Sequence, residues 1–175
     1  STHAIPSLAN RFNRFAEFAR ADLTTIYSKQ HLDRALRLEV NRLESGVFLN
    51  DGSGKFTFNS LPTLAQVSPV RGIALTDIDS DGNLDAILAQ NFFGPQRETG
   101  RMDGGVGLVL KGDATGNFHP VWPNQSGIVL PGDHSAIIAR DFDRNGSPDL
   151  LFGVNDDHAV MFFSKSAHQP VPGGK

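Results

Sequence analysis

Residues 77–85 read DIDSDGNLD, and 64 positions later residues 141–149 read DFDRNGSPD. Both stretches carry Asp at positions one, three and nine, Asp or Asn at five, and Gly at six. The likeness extends beyond them. RGIALTDIDSDGNLDAILAQN (71–91) aligns with HSAIIARDFDRNGSPDLLFGVN (134–155), and GVFLNDGSGKF (46–56) with GLVLKGDATGNF (107–118), the latter one residue longer. A third copy begins at AVMFFSK (159–165). An internal repeat of this size constrains the fold more than composition does. Each unit is one supersecondary motif that buries its apolar surface against its neighbours.

The local pattern says what the units are. VFLN, KFTF, GIALT, DAILA, GLVLK, NFHPV, SAIIA and DLLFGV are short runs separated by Gly, Asn, Asp and Pro. Runs of this length between turn residues read as strands. The expected unit is strand, Gly-rich turn, strand, then strand, aspartate loop, strand. Four strands in ~60 residues is the size of a propeller blade. Gly94-Pro95 and Gly104-Gly105 mark a long loop between strands.

The first 45 residues differ. Phe12, Phe15, Phe18, Ala19, Leu23 and Ile26 recur at spacings of three and four, as do Leu32, Ala35, Leu36, Val40 and Leu43. That spacing predicts two amphipathic helices, over about 8–26 and 29–44, with Ser28 as N-cap of the second. The expected organisation is a helical arm at 1–45, two repeats at 46–165 and a disordered tail at 166–175.

Composition excludes several classes. None of the 175 residues is Cys, which removes disulfide scaffolds, zinc–thiolate sites and cysteine nucleophiles. The net charge of −3 gives no nucleic-acid footprint. No stretch approaches ~20 apolar residues, so no membrane span is expected. No signal peptide is visible, and the start at Ser1 reads as a processed or excised piece.

The aspartate loops suit a hard cation, because Ca²⁺ takes six to eight oxygens. Alternate residues at the start of a tight loop turn Asp77, Asp79 and Asp81 inward. Gly82 permits the reversal, Asn83 offers its carbonyl oxygen, and Asp85 closes the shell. The second set is Asp141, Asp143, Asn145, the carbonyl of Ser147, and Asp149. The expectation is two Ca²⁺ sites. An EF-hand needs Glu at position twelve and flanking helices. Position twelve is Leu88 in one loop and Phe152 in the other, and the flanks read as strands. Loop one carries four acidic residues, with Arg71 as its nearest base along the chain, whereas Arg140 and Arg144 adjoin loop two. Loop one is therefore expected to depend more on a bound cation.

DIDSDGNLD and DFDRNGSPD, with NDGSGKF and GDATGNF, resemble the FG-GAP/VCBS repeats of integrin-α-like β-propellers. NFFGPQRETGRMDGGVGLVLKGDATGNF is similar to secreted bacterial proteins of the cartilage-acidic-protein type. Asn145 stands where the pattern has Asp, and FFGPQ (92–96) is the nearest fragment to the Phe-Gly…Gly-Ala-Pro signature. The resemblance covers about residues 46–165. It implies mainly β propeller blades, about two, preceded by a helical segment, with Ca²⁺ held by the loop aspartates. It also implies an extracellular, cell-surface or periplasmic protein. A propeller needs ~4–8 blades, so a fragment of a larger protein, self-associating through open edges, is expected.

Catalytic patterns are sparse. His3, His31, His119, His134, His158 and His168 show no metal-ligand spacing, and GxSxG, P-loop and HExxH are absent. Arg97, Glu98, Arg101 and Asp103 form the candidate ligand loop, where acid, base and anion clamp could meet. Trp122 is a candidate for stacking on a sugar. The expected function is a non-catalytic module for adhesion or for binding protein or glycan. The alternatives are part of a secreted, lyase-like carbohydrate-active enzyme and a purely structural scaffold.

Overall fold

The computed structural model describes residues 6–165. The chain divides into two units, Ser1–Leu43 and Glu44–Lys175. The expected tail at 166–175 lies outside the described residues.

Among the described residues the first unit has four short helices, α1 (Ser7–Arg11), α2 (Phe15–Arg20), α3 (Leu23–Ile26) and α4 (Lys29–Arg34). This corrects the two long helices expected over 8–26 and 29–44. Residues 35–45 contain no helix. A helix in water persists mainly by burying its apolar face, and much of the expected face stays exposed: Phe15, Leu36 and Leu43 are each more than 80 % accessible. Local chemistry also interrupts the run. Asp22 adopts extended dihedrals, and its Oδ1 accepts the Thr25 N–H at 2.7 Å and the Thr24 hydroxyl at 2.9 Å. That N-cap starts α3 instead of extending α2. Ser28 does precede α4, but its hydroxyl meets His31 Nδ1 at 2.8 Å and caps no backbone N–H.

The second unit is mainly β, with three antiparallel sheets among the described residues. Strands β1 (Gly46–Asn50) and β2 (Phe56–Ser60) form a hairpin. Next come β3 (Val70–Thr76), β4 (Asp85–Gln90), β5 (Leu108–Gly112) and β6 (Phe118–Val121), paired in that order as one meander. A one-turn helix, α5 (Pro123–Ser126), leads to the third sheet: β7 (His134–Arg140), β8 (Asp149–Val154) and β9 (Val160–Phe162). The expected unit is thus re-phased. The four-stranded sheet begins with the aspartate hairpin and ends with the Gly-turn hairpin. β2 does not pair with β3, and a 3₁₀ turn at Thr63–Ala65 lies between them.

Packing explains the strand sequences. All six residues of β4, DAILAQ, are buried. Successive side chains of a strand point to opposite faces. Ala86 and Leu88 join Leu61, Ala65, Leu108 and Leu110 in one core, whereas Ile87 and Ala89 join Val109, Leu150 and Phe152 in another. A strand covered on both faces reads as a continuous apolar run, not an alternating one. The second core joins the four-stranded and three-stranded sheets. Their first strands approach closely at Gly72, where a Cβ would sit 3.2 Å from the Cα of Ala136. Both strands carry a bulge there, between Val70 and Gly72 and between His134 and Ala136.

The Gly-turn hairpins are equivalent in detail. Asp51 Oδ1 accepts the N–H of Ser53 and Lys55, and Asp113 Oδ1 accepts those of Thr115 and Asn117. The Thr115 hydroxyl and the Asn117 N–H hold the Asp113 carboxyl well below the usual carboxylate range.

Candidate metal centres

Each aspartate loop joins the first two strands of its sheet, β3 to β4 and β7 to β8. Position four is left-handed in both, Ser80 at φ 61° and Arg144 at φ 63°, and so is position six, Gly82 at φ 90° and Gly146 at φ 87°. Two left-handed residues so close together reverse the chain sharply and crowd positions one and three on the inside. Strand pairing of Thr76 with Asp85 and of Arg140 with Asp149 brings position nine to the same place. Carboxylate oxygens of Asp77, Asp79 and Asp85 consequently lie within 4.8 Å of one another, and so do those of Asp141, Asp143 and Asp149.

Backbone donors hold these carboxylates in position. Asp77 accepts the N–H groups of Asp81 and Gly82 at 3.0 and 2.9 Å, and Asp141 those of Asn145 and Gly146 at 3.1 and 2.9 Å. Asp85 and Asp149 are wholly buried. Asp85 accepts from Ile78 at 3.0 Å and Gly112 at 2.9 Å, and Asp149 accepts from Phe142 at 2.8 Å and Ser164 at 2.9 Å. Burial pushes the Asp149 carboxyl up, but the N–H groups of Phe142, Ser164 and Asp143 together outweigh it and leave the group below its usual range.

The remaining expected ligands have other partners. Asp81 Oδ1 accepts the Asn83 N–H at 2.8 Å and its side-chain amide at 3.0 Å, and the former holds the Asp81 carboxyl below its usual range. Asn145 Oδ1 accepts the Ser147 N–H at 2.8 Å, and Asn145 Nδ2 donates to Asp143 at 3.1 Å and to the Ser164 carbonyl at 3.0 Å. The structure thus brings three acids of each loop together and places Asp81 and Asn145 in the turn beside them.

Lys111, on β5, is a member of the site that no motif in the sequence marks. Its Nζ contacts Asp79 Oδ2 and lies 3.4 Å from Asp81 Oδ2. The hydrogen bond to Asp79 holds its ammonium above the usual lysine range. The charge expectation is therefore corrected. Loop one has a base in contact, supplied across the sheet, while neither Arg140 nor Arg144 forms an ion pair among the described residues. Arg71 belongs to the opposite end of β3, 3.8 Å from Asp133 and stacked over Phe92 at 4.7 Å.

Both clusters could hold a metal ion. The donors are all oxygen, and each carboxylate oxygen has two lone pairs, so an N–H bond leaves capacity for an ion. The ammonium of Lys111 already stands in as a positive charge at loop one. Flanking strands replace the helices of an EF-hand, and its position twelve is core here, as Leu88 and Phe152.

The candidate ligand loop lies at the other end of the sheet. Arg97, Glu98, Arg101 and Asp103 are exposed, and among the described residues no ion pair joins them. Arg101 stacks over Phe93 at 4.8 Å. The base of the loop is anchored. Phe92 and Met102 exchange backbone hydrogen bonds. Buried Asn91, at φ 82°, accepts from Ser68 and Gly105 and donates to the carbonyls of Gly105 and Gly132. Trp122 is exposed at the start of α5. No family model, curated protein or solved structure matches the chain.

Proposed function

We propose that the β unit is a calcium-stabilised, non-catalytic binding module. In this reading its sheets are blades of an FG-GAP/VCBS-type propeller, working outside the cell, at its surface or in the periplasm. The observation that carries the proposal is the pair of aspartate clusters at matching places in two repeats. Asp77, Asp79 and Asp85, and Asp141, Asp143 and Asp149, would hold one ion each. Bound Ca²⁺ would supply charge neutralisation for three crowded carboxylates and would tie the strands on either side of each loop. Several carboxylates with no dedicated octahedral cage favour Ca²⁺ over Mg²⁺, which demands strict octahedral geometry and keeps much of its water.

The protein or glycan partner would meet the exposed face of the 91–107 loop, away from the ion sites. Among the described residues β9 pairs on one side only, and such an edge invites a further strand. In this reading the edge would take a second copy of the chain or a further blade.

Thermal melting tests the reading. Chelation by EGTA is expected to lower the melting temperature by about 10–20 °C, from ~2.7 kcal/mol at each of the two sites when free Ca²⁺ is about a hundred times its dissociation constant. Ca²⁺ should restore it and Mg²⁺ should not. An unchanged melting temperature would overturn the proposal.

A further inference from the structure

The two repeats differ at one register position beside their ion clusters. In the first, Ala86 pairs with Leu110, so Lys111 is next along β5, and Gly112 donates to Asp85. In the second, Leu150 pairs with Phe162, so Phe163 is next after β9, and Ser164 donates to Asp149. Lys111 and Phe163 therefore occupy equivalent places. Lys111 bonds to Asp79 and approaches Asp81, while Phe163 is exposed and brings no charge to Asp141 or Asp143.

From this asymmetry we infer that Lys111 is a built-in counter-ion that ranks the two sites: loop two takes its divalent cation first, and loop one takes its ion only by displacing the Lys111 ammonium from Asp79. The inference rests on the calcium reading above. Its physical basis is competition. A bound cation and the ammonium would compete for the Asp79 carboxylate, and two positive charges a few ångströms apart repel. Loop one without metal is thus partly neutralised, whereas the loop-two carboxylates have only uncharged donors, backbone N–H groups and the Asn145 amide. The ranking is the reverse of what loop charge alone implies, since loop one has the larger number of acids. Lys111 is long and half-exposed, at 43 % side-chain accessibility, so it can swing into solvent without leaving a cavity.

Calcium titration of the full chain by calorimetry tests this, with Asp79→Asn and Asp143→Asn variants assigning each step to a loop. The wild type should bind one ion tightly at loop two and one more weakly at loop one. Lys111→Met should tighten the loop-one step by about tenfold, from removal of one nearby unit charge, and leave loop two unchanged. The reciprocal variant, Phe163→Lys, should weaken the loop-two step by a similar factor. Lys111→Arg should leave the loop-one step weak. Unchanged loop-one affinity in Lys111→Met, with both ions still bound, would overturn the counter-ion role and leave the calcium reading standing. Absence of binding in wild type and Lys111→Met alike would overturn the calcium reading itself.

Discussion

Asp85, wholly buried at the first position of β4, accepts the backbone N–H of Gly112 at 2.9 Å across 27 residues of chain. The bond fastens the end of β5 to the aspartate loop, and the second carboxylate oxygen takes the Ile78 N–H within the loop. Gly112 permits the approach, since a Cβ there would collide with the Leu84 carbonyl oxygen. Ser164 makes the equivalent join in the next sheet, where its N–H donates to Asp149 and its hydroxyl to the Pro148 carbonyl. The ninth aspartate is therefore a sheet fastener as well as a candidate ligand.

Asp85→Ala should consequently destabilise the protein even when metal is absent. It strands two backbone donors, each of which costs about 1–3 kcal/mol if buried without a partner. The expected fall in melting temperature is on the order of 5 °C or more in EGTA. Asp79→Ala removes a more exposed carboxylate whose contact is the flexible Lys111 ammonium, and it should change little under the same conditions. Equal, small losses for both variants in EGTA would show that Asp85 acts only through an ion.

A second prediction isolates backbone strain from contacts. Nothing lies within 4 Å of a Cβ built on Gly82 or Gly146, so alanine meets open space at either position. The φ angles of 90° and 87° nevertheless lie beyond the small left-handed region open to other residues. Gly82→Ala and Gly146→Ala should each cost about 1–2 kcal/mol, read as a lower urea midpoint with unchanged slope. An alanine variant as stable as wild type would mean that the loop relaxes into another turn.

Some features were open to sequence reading and others were not. The strands were legible because covered strands such as DAILAQ and DLLFGV are short apolar runs bounded by turn residues. The aspartate sets were legible because strand ends and left-handed turns convert spacing along the chain directly into proximity. The sheet phase was not, since alignment fixes a period but not which hairpin begins the sheet. Lys111 was hidden for a related reason: its closeness to Asp79 arises from pairing of β4 with β5, and the two residues are far apart in sequence. The long N-terminal helices failed because periodic apolar spacing promises a helix only where a surface exists to bury it. Phe15 and Leu43 remain exposed.

His134 gives the protein a pH dependence near neutrality. Its side chain is buried, Nδ1 has no hydrogen-bond partner among the described residues, and the ring meets Phe152 edge-on at 6.1 Å. Burial pushes the imidazole below its usual value of 6.5, against smaller opposing effects from the Gln90 backbone and from the Asp133 carboxylate. The folded protein thus keeps His134 neutral at a pH where the unfolded chain has already taken up a proton. By linkage, stability is constant above about pH 6.5 and falls as pH drops from there toward the folded-state value. His134→Phe keeps the ring contact and removes the titration. Between pH 7 and pH 5, in EGTA, the wild type should lose more in melting temperature than this variant. Parallel melting curves for the two proteins across that range would show that His134 titrates alike in the folded and unfolded chains.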